Sequence, residues 1–238
     1  MTTVIKLVIA SILALVMTSC KFDFGVKGNG NVKTVERTID GSYDEIEISR
    51  GLDVYLTQSD NETISVQADE NLHDIIKTEI EGTVLKIYTE ENINFSEAQK
   101  VMVNFKNVSK ISASSGSDVY ATNTLKVDNL KLETSSGSDM TLDLIAQSIK
   151  CDSASGSDLT LSGTTIDFTA EASSGSDINA SKLLAANSQV QATSGADIST
   201  NTSEKLQAKA SSGGNVKYSG NPSNVEKSDN VSGTGSQQ

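Results

Sequence analysis

Residues 113–121 read ASSGSDVYA, and five further copies of this motif follow before residue 219. The copies read TSSGSDMTL (134–142), SASGSDLTL (153–161), ASSGSDINA (172–180), ATSGADIST (192–200) and ASSGGNVKY (210–218). Steps of 21, 19, 19, 20 and 18 residues separate their central glycines, which are Gly116, Gly137, Gly156, Gly175, Gly195 and Gly213. A repeat this short and this tolerant of length changes is typical of stacked structural coils.

Apolar and polar residues alternate on both sides of each glycine, which is the period of a β-strand. The apolar position five residues before the glycine holds Ile111, Leu132, Cys151, Ala170, Val190 and Ala208. The apolar position three residues after it holds Val119, Met140, Leu159, Ile178, Ile198 and Val216. The polar position two residues after it holds Asp118, Asp139, Asp158, Asp177, Asp197 and Asn215. We therefore predict that the apolar columns point inward and that the aspartates point to solvent.

This register predicts an all-β fold, a right-handed parallel β-helix with about 19–20 residues per coil in the C-terminal half. On an α-helix, apolar residues at every second position would be distributed around the whole circumference and would not form one buried face. An antiparallel sandwich has no reason to repeat one turn motif at every step, whereas a solenoid stacks identical positions about 4.8 Å apart. At each bend the glycine is expected to supply a positive φ or to allow a close approach, and the flanking serines to bond to the backbone.

The segment from about residue 26 to 110 alternates in the same way but lacks the motif, which predicts irregular first coils and a cap. Within it, GLDV (51–54) is interpreted as a degenerate version of the later turn, and Glu81-Gly82-Thr83 as a turn between two strands. One β-helix domain is expected over residues 31–220, with the motif repeats in 111–219. The polar segment 221–238 is expected to be a disordered tail.

The first residues have the features of an export signal, because Lys6 precedes an apolar stretch that ends shortly before Cys20. Met17-Thr18-Ser19 resembles the relaxed lipobox of Bacteroidetes-type lipoproteins. We expect a signal peptide at 1–19, a lipidated Cys20 that carries acyl chains such as palmitate, and an anchor and linker at 20–30. The protein would then be an outer-membrane lipoprotein of the cell envelope, on either the periplasmic or the surface face. An ordinary cleaved signal and a retained signal anchor are the alternatives.

Several stretches together resemble the DUF2807 family, known as autotransporter adhesin heads or GIN domains of envelope lipoproteins. They are the opening FDFGVKGNGNV, the block GLDVYLTQSDNETISVQADENL, the SGSD repeats and the closing GGNVKYSGNPSNVEK. The resemblance covers most of the chain after the leader. It implies a parallel β-helix and an adhesin-like role, and it supplies no binding residues.

Composition and charge narrow the classes of partner. The formal net charge is −12, so nucleic acid is not an expected partner, because binding it requires clustered Lys and Arg. Cys20 and Cys151 are the only cysteines, so a lipidated Cys20 leaves no intramolecular disulfide. The expected partners are the membrane, through the lipid anchor, and a glycan or an envelope protein.

The aspartate column is the sharpest candidate site. Stacked carboxylates repel one another and could recruit Ca²⁺, the one candidate cofactor, through Asp118, Asp139, Asp158, Asp177 and Asp197. The alternative is that each aspartate caps its own turn by accepting backbone N–H bonds. His73, the single histidine, is expected to be a solvated loop residue, and Cys151 a buried structural thiol.

The leading hypothesis is a non-enzymatic, lipid-anchored structural and interaction module with an adhesin-like role. A polysaccharide-processing β-helix enzyme is one alternative, and a Ca²⁺-dependent matrix protein that uses the aspartate column is another. No catalytic residues can be assigned from the sequence.

Overall fold

A computed structural model describes residues 25–228 and 231–233. The described part is all-β, with 68% of its residues in strands, and a 3₁₀ turn at Glu70–Leu72 is its only helical element. The strands of the N-terminal part are β1 (Val26–Lys27), β2 (Val32–Arg37), β3 (Glu45–Ile48), β4 (Asp53–Gln58), β5 (Thr63–Asp69), β6 (Ile76–Glu81), β7 (Val84–Thr89), β8 (Ile93–Phe95) and β9 (Gln99–Phe105). The strands that follow are β10 (Lys110–Ala113), β11 (Asp118–Ala121), β12 (Leu125–Ser135), β13 (Asp139–Ala154), β14 (Asp158–Ser173), β15 (Asp177–Thr193), β16 (Asp197–Ser211), β17 (Asn215–Ser219), β18 (Asn224–Lys227) and β19 (Val231–Gly233).

The motif repeats form a parallel β-solenoid in which each coil lies on the previous one in register. β11, β13, β14, β15, β16 and β17 pair in parallel in that order. The column that starts at Asp118 therefore runs through Asp139, Asp158, Asp177, Asp197 and Asn215. The predicted parallel stacking of the six motifs is confirmed.

The SSG turns form a column of their own. Each central glycine has a positive φ, 67° at Gly156 for example, and the serine before it is also left-handed, with φ 59° at Ser155. The N–H of Gly156 donates to the carbonyl of Ser174 at 3.2 Å, and the same bond recurs from coil to coil. The predicted positive φ of the glycines is confirmed, and the left-handed serines are an addition that the sequence pattern did not predict.

Both predicted apolar columns are buried. Their members are at most 1% exposed, from Ile111 to Ala208 before the turn and from Val119 to Val216 after it. At the corner that joins the two columns, small inward hydroxyls bond to one another, with Thr134 Oγ1 donating to Ser153 Oγ at 2.9 Å. Since buried hydroxyls are costly without partners, this network explains why the corner accepts Ser and Thr.

Differences in coil length are absorbed away from the turn. The register between β14 and β15 shifts between Thr160 and Ser162, and the pairing of β15 with β16 shifts after Ala180 and again after Ala185. All three irregularities lie after the post-turn strand segment. The turn column therefore stays aligned although the coils contain different numbers of residues.

The N-terminal half continues the solenoid and then closes it. β3 pairs in parallel with β10, and β4 with β11, which places Asp53 opposite Asp118. Arg50 and Gly51 have φ 65° and 75°, so GLDV is the degenerate turn that was predicted. β7 and β9 add one more parallel layer, and β6, β5 and β2 then pair antiparallel to close this end. We call this end of the solenoid the cap.

A buried carboxylate holds the cap together. Asp69 is fully buried and accepts backbone N–H bonds from Gly30 at 2.8 Å, Glu97 at 3.1 Å and Ala98 at 3.2 Å. Gly28 lies so close to Asp69 that an added Cβ would come within 2.1 Å of the carboxylate. This one side chain therefore joins three segments of the cap.

Two expectations need correction. The segment from residue 221 does not begin as a disordered tail, because β18 pairs in parallel with β16 and Val225 lies opposite Leu206. The solenoid thus continues past residue 220. His73 is half-buried, and its Nε2 lies 3.1 Å from the carbonyl oxygen of Lys33, so it packs against β2 and is not a freely solvated residue.

Candidate functional site

The outer face formed by the strand segments after the turns carries a straight row of aspartates. Asp53 extends the predicted column by one coil, and Lys100 follows it on β9. Asp139, Asp158, Asp177 and Asp197 are exposed, whereas Asp53 and Asp118 are half-buried. We call this row, together with the parallel row described next, the ladder face.

Two tyrosines stand beside the aspartates. Tyr55 and Tyr120 occupy the next outward column, with ring centroids 5.5 Å apart and an interplanar angle of 28°. Lys100 Nζ lies 5.7 Å from the centroid of Tyr55. On the other side of Tyr120 the same column continues with Thr141 and then Thr160. The aromatic pair is therefore followed by small polar side chains, which leaves space beside the Tyr120 ring.

Hydroxyl and amide groups border the tyrosines on the side away from the aspartates. Thr57 Oγ1 and Thr122 Oγ1 are 2.6 Å apart, and Asn104 Nδ2 donates to Thr63 Oγ1 at 2.8 Å. One coil further on, Ser162 Oγ donates to Asp143 at 2.8 Å. The ladder face thus offers an aromatic centre between a carboxylate row and a hydroxyl row.

Burial raises the pKa values of three aspartates of the row, and at two of them neighbouring carboxylates add to the effect. The pKa of Asp118 lies above its usual value because burial disfavours the charged form, and Asp139 and Asp53 add like charge. Asp158 is raised for the same reasons, first by burial and then by Asp139 and Asp177. At Asp53 burial raises the pKa while Lys100 opposes it. The row therefore favours positive charge near it.

The aspartates do not cap their own turns. Within the described residues, the carboxylates of Asp139, Asp158, Asp177 and Asp197 accept no hydrogen bond, so the alternative in which they take backbone N–H groups of their own turns is wrong. In the turns of Gly137 and Gly175, the serine directly after the glycine takes this role. Ser176 Oγ, for example, accepts from the Ser173 N–H at 3.1 Å and contacts the Ser153 carbonyl at 2.9 Å. Since these serines are buried, the carboxylates remain available to solvent or ligand.

The face formed by the segments before the turns differs in character. Near its C-terminal end it has an open groove of about 630 Å³, which Gln189, Gln191, Gln207, Lys209 and Glu226 help to line. Within the groove Gln207 Nε2 donates to Glu226 at 2.9 Å, and elsewhere on this face Lys110 pairs with Glu133 at 2.8 Å. Exposed pairs of this kind contribute little stability, and they leave fewer free partners for a ligand.

Metal and thiol chemistry find little support in the described residues. No group of three or more His, Cys, Asp or Glu side chains in 25–228 and 231–233 is arranged to hold a metal ion. Cys151 is fully buried, as predicted, and burial raises the pKa of its thiol far above the ordinary value. Cys20 lies outside the described residues, so lipidation stays a prediction. No helix in the described part is long and apolar enough to cross a membrane.

Sequence reasoning found the aspartate column but missed Asp53 and the tyrosine pair. A signal was present, since DVY occurs at 53–55 after Gly51-Leu52 and again at 118–120 after Gly116-Ser117. Aligning these two stretches places Tyr55 on Tyr120. The fold and this site together define a class, a short parallel β-solenoid that displays an acidic and aromatic ladder on an outer face.

Comparison with known proteins agrees with that class. The chain belongs to the DUF2807 family, described as "Putative auto-transporter adhesin, head GIN domain", which matches residues 42–222. The family resemblance predicted from the sequence is thereby confirmed. No curated protein sequence matches the chain.

Solved structures show the same fold. A putative adhesin from Bacteroides fragilis is 20% identical with a TM-score of 0.80, and the match covers 88% of this chain and 97% of that one. A putative adhesin from Parabacteroides merdae is 22% identical with a TM-score of 0.69, covering 89% and 97%. A putative lipid binding protein from Parabacteroides distasonis is 22% identical with a TM-score of 0.69, covering 88% and 99%. At these identities the similarity establishes the fold alone.

Proposed function

We propose that this protein is a non-enzymatic, lipid-anchored envelope module with an adhesin-like role, and that the ladder face binds a glycan. The observation that carries the proposal is the Tyr55–Tyr120 pair, 5.5 Å between centroids, beside the row from Asp53 to Asp139. The family description and its adhesin relatives support a binding role over a catalytic one.

The tyrosine pair suits the apolar face of a sugar ring. An aromatic ring offers a flat, rigid contact at low entropic cost, and its edge remains polar. Tyr55 covers one side of Tyr120, and Thr141 follows on the other side. A pyranose stacked on that free side would place its hydroxyls near Asp139 in one column and the threonine hydroxyls in the other.

The charge of the row selects among glycans. Carboxylates accept hydrogen bonds from neighbouring sugar hydroxyls, and because the acceptor is charged such a bond is roughly twice as strong as one between neutral groups. The row from Asp53 to Asp197 would repel carboxylated or sulfated polymers. A neutral or amine-bearing glycan is therefore the proposed ligand class.

Cys20 is the proposed attachment point to the membrane. Two or more acyl chains at about 0.8 kcal/mol per buried methylene hold a protein on a bilayer stably. An outer-membrane location, on the periplasmic or the surface side, is proposed from the lipobox-like residues before Cys20.

Binding is tested with the chain from residue 21 onward, a panel of neutral, amine-bearing and acidic glycans, and calorimetry on the hits. Tyr120→Ala is expected to weaken binding by about tenfold or more, since tenfold is 1.4 kcal/mol. Tyr88→Ala is the matched control, because Tyr88 is half-buried and contacts Arg50 away from the ladder face. Equal losses from both variants, or a preference for acidic glycans, would contradict the proposal.

Turnover of a glycan would also contradict it. Product release from any polysaccharide of the panel, abolished by a carboxylate substitution such as Asp139→Asn, would replace the binding module with the enzyme alternative. For the anchor, growth with a labelled fatty acid is expected to label the wild-type chain and to leave the Cys20→Ser variant unlabelled.

A further inference from the structure

The cap carries exposed apolar side chains at the place where the N-terminal segment joins the fold. β2 is the last strand beyond β5, and on it Val32 is 41% and Val35 38% exposed. Phe95 is 54% exposed on β8, which pairs with β1. Water contact at large apolar side chains is unfavourable, so the presence of three of them at one end of the solenoid favours a covering surface there.

The proposed lipid would hold this end near the membrane. Six residue steps separate Cys20 from Val26, where β1 begins. A chain of that length spans at most about 20 Å when fully extended. The β1–β8 pair and the neighbouring β2 would therefore lie within reach of the headgroups of the bilayer in which the acyl chains are inserted.

We propose that Lys27, Val32, Val35 and Phe95 of the cap contact the lipid surface to which Cys20 is attached. The solenoid then stands away from the bilayer with its repeat coils outward. This inference rests on the proposed lipidation of Cys20 and adds an orientation to it.

The chemistry of the cap fits a bilayer interface. Lys27 Nζ lies 5.9 Å from the centroid of the Phe95 ring, so the charged amine is positioned over the apolar face of the ring. Aromatic residues and lysines with this arrangement suit the boundary between acyl chains and headgroups. A tether that already holds the protein nearby raises the local concentration, so a weak contact is enough to orient it.

A second protein copy fits the cap less well. A stable protein interface buries about 800 Å² on each partner, which is more than these few side chains supply. Charge attraction is not the main cause of the contact either, because Lys27 is the one basic residue in it and the nearby Lys33 is already bonded to Glu70. The contact is therefore expected on neutral phosphatidylcholine bilayers and should not require anionic lipid.

The chain contains no tryptophan, so one introduced residue gives an unambiguous fluorescence signal. The lipidated full chain carrying Phe95→Trp is reconstituted into phosphatidylcholine vesicles, with or without bromine on the acyl chains. We expect a blue-shifted emission and at least twofold quenching by the brominated lipid. Ile166→Trp is the matched control, since Ile166 is equally exposed at 54% but lies on the repeat coils, and it should remain unquenched.

Vesicle flotation separates this inference from the anchor on which it rests. If the chain floats with the vesicles while the tryptophan of Phe95→Trp is quenched no more than that of Ile166→Trp, the orientation is overturned and the anchor stands. If the wild-type chain does not float, the anchor and the orientation both fall. Val35→Trp repeats the test at a second position, which guards against a local disturbance around Phe95.

Discussion

Replacing one aspartate in the middle of the row by its neutral isostere should stabilise the protein at neutral pH. Asp158 has an aspartate on each side, Asp139 and Asp177, and its carboxylate accepts no hydrogen bond from the described residues. Asp158→Asn therefore removes repulsion without removing a bond. Asp197→Asn is the matched control, because Asp197 has Asp177 on one side and Asn215 on the other.

The magnitude follows from the strand spacing. Neighbouring carboxylates about 5 Å apart repel by about 0.8 kcal/mol in a water-like dielectric. Screening at 0.15 M salt, where the Debye length is about 8 Å, reduces this to about 0.4–0.5 kcal/mol for each neighbour. We expect Asp158→Asn to add about 1 kcal/mol to the free energy of unfolding and Asp197→Asn about half of that.

The pH dependence gives the sign of the effect. The pKa of Asp158 is raised in the folded protein, so its ionisation costs folding free energy above that pKa. The cost disappears as the pH falls below the unfolded value of about 3.9. Urea unfolding should therefore show the gain at pH 7, with little of it at pH 3 or in 1 M NaCl. A loss of stability at pH 7, or equal gains for the two variants, would refute the repelling row.

Three further predictions concern the scaffold. Gly163→Ala should prevent folding or cost several kcal/mol in chemical unfolding, because the added Cβ would lie 1.9 Å from the backbone oxygen of Leu144 on the preceding coil. Gly156→Ala should lower the free energy of unfolding by only about 1–2 kcal/mol, since its Cβ would meet nothing within 4 Å and only the positive φ is strained. Similar losses for the Gly163→Ala and Gly156→Ala variants would be inconsistent with the stacking of the coils. Asp69→Ala should lower the free energy of unfolding by about 3 kcal/mol or more, because three backbone N–H groups lose their acceptor. Those amides should also exchange faster with solvent hydrogen; full protection of them in the variant would show that Asp69 does not hold the cap together. In a chain that starts at residue 21, Cys151 should react with a thiol reagent only on unfolding, because burial raises its pKa; prompt labelling of the native chain would show that it is not enclosed.

The repeat half of the fold could be predicted because the sequence pattern that specifies it is short and recurs in every coil. Each coil shows the same alternation around the same glycine, so in-register stacking places Leu159 on Met140 and Ile178 on Leu159. A one-residue slip would turn every apolar side chain to solvent, which is why the pattern specifies the register so well.

The cap could not be predicted to the same depth. β2, β5 and β9 pair antiparallel across about 40 residues that share no motif, and alternation alone does not distinguish parallel from antiparallel partners. Asp69 illustrates the limit, because its role depends on Gly30, Glu97 and Ala98, which lie far from it along the chain.

At the site, the sequence supplied the aspartates but not their surroundings. The preference of Asp for turns favoured a capping role, yet in two of the turns the buried Ser138 and Ser176 take that role, while the carboxylates of Asp139 and Asp177 stay free of it. The tyrosine pair emerges only when residues 53–55 are placed over 118–120, a pairing that spans 65 positions.

The measurement that tests this account most directly is the distance between two rungs of the row. Spin labels on Asp118→Cys and Asp197→Cys, in a chain that starts at residue 21, lie four coils apart, and in-register stacking predicts a backbone separation of about 19 Å. A narrow distribution near that value, widened by the label linkers, is the expected result. A separation beyond 30 Å, or a broad distribution without a maximum, would contradict the ladder on which the proposed binding face depends.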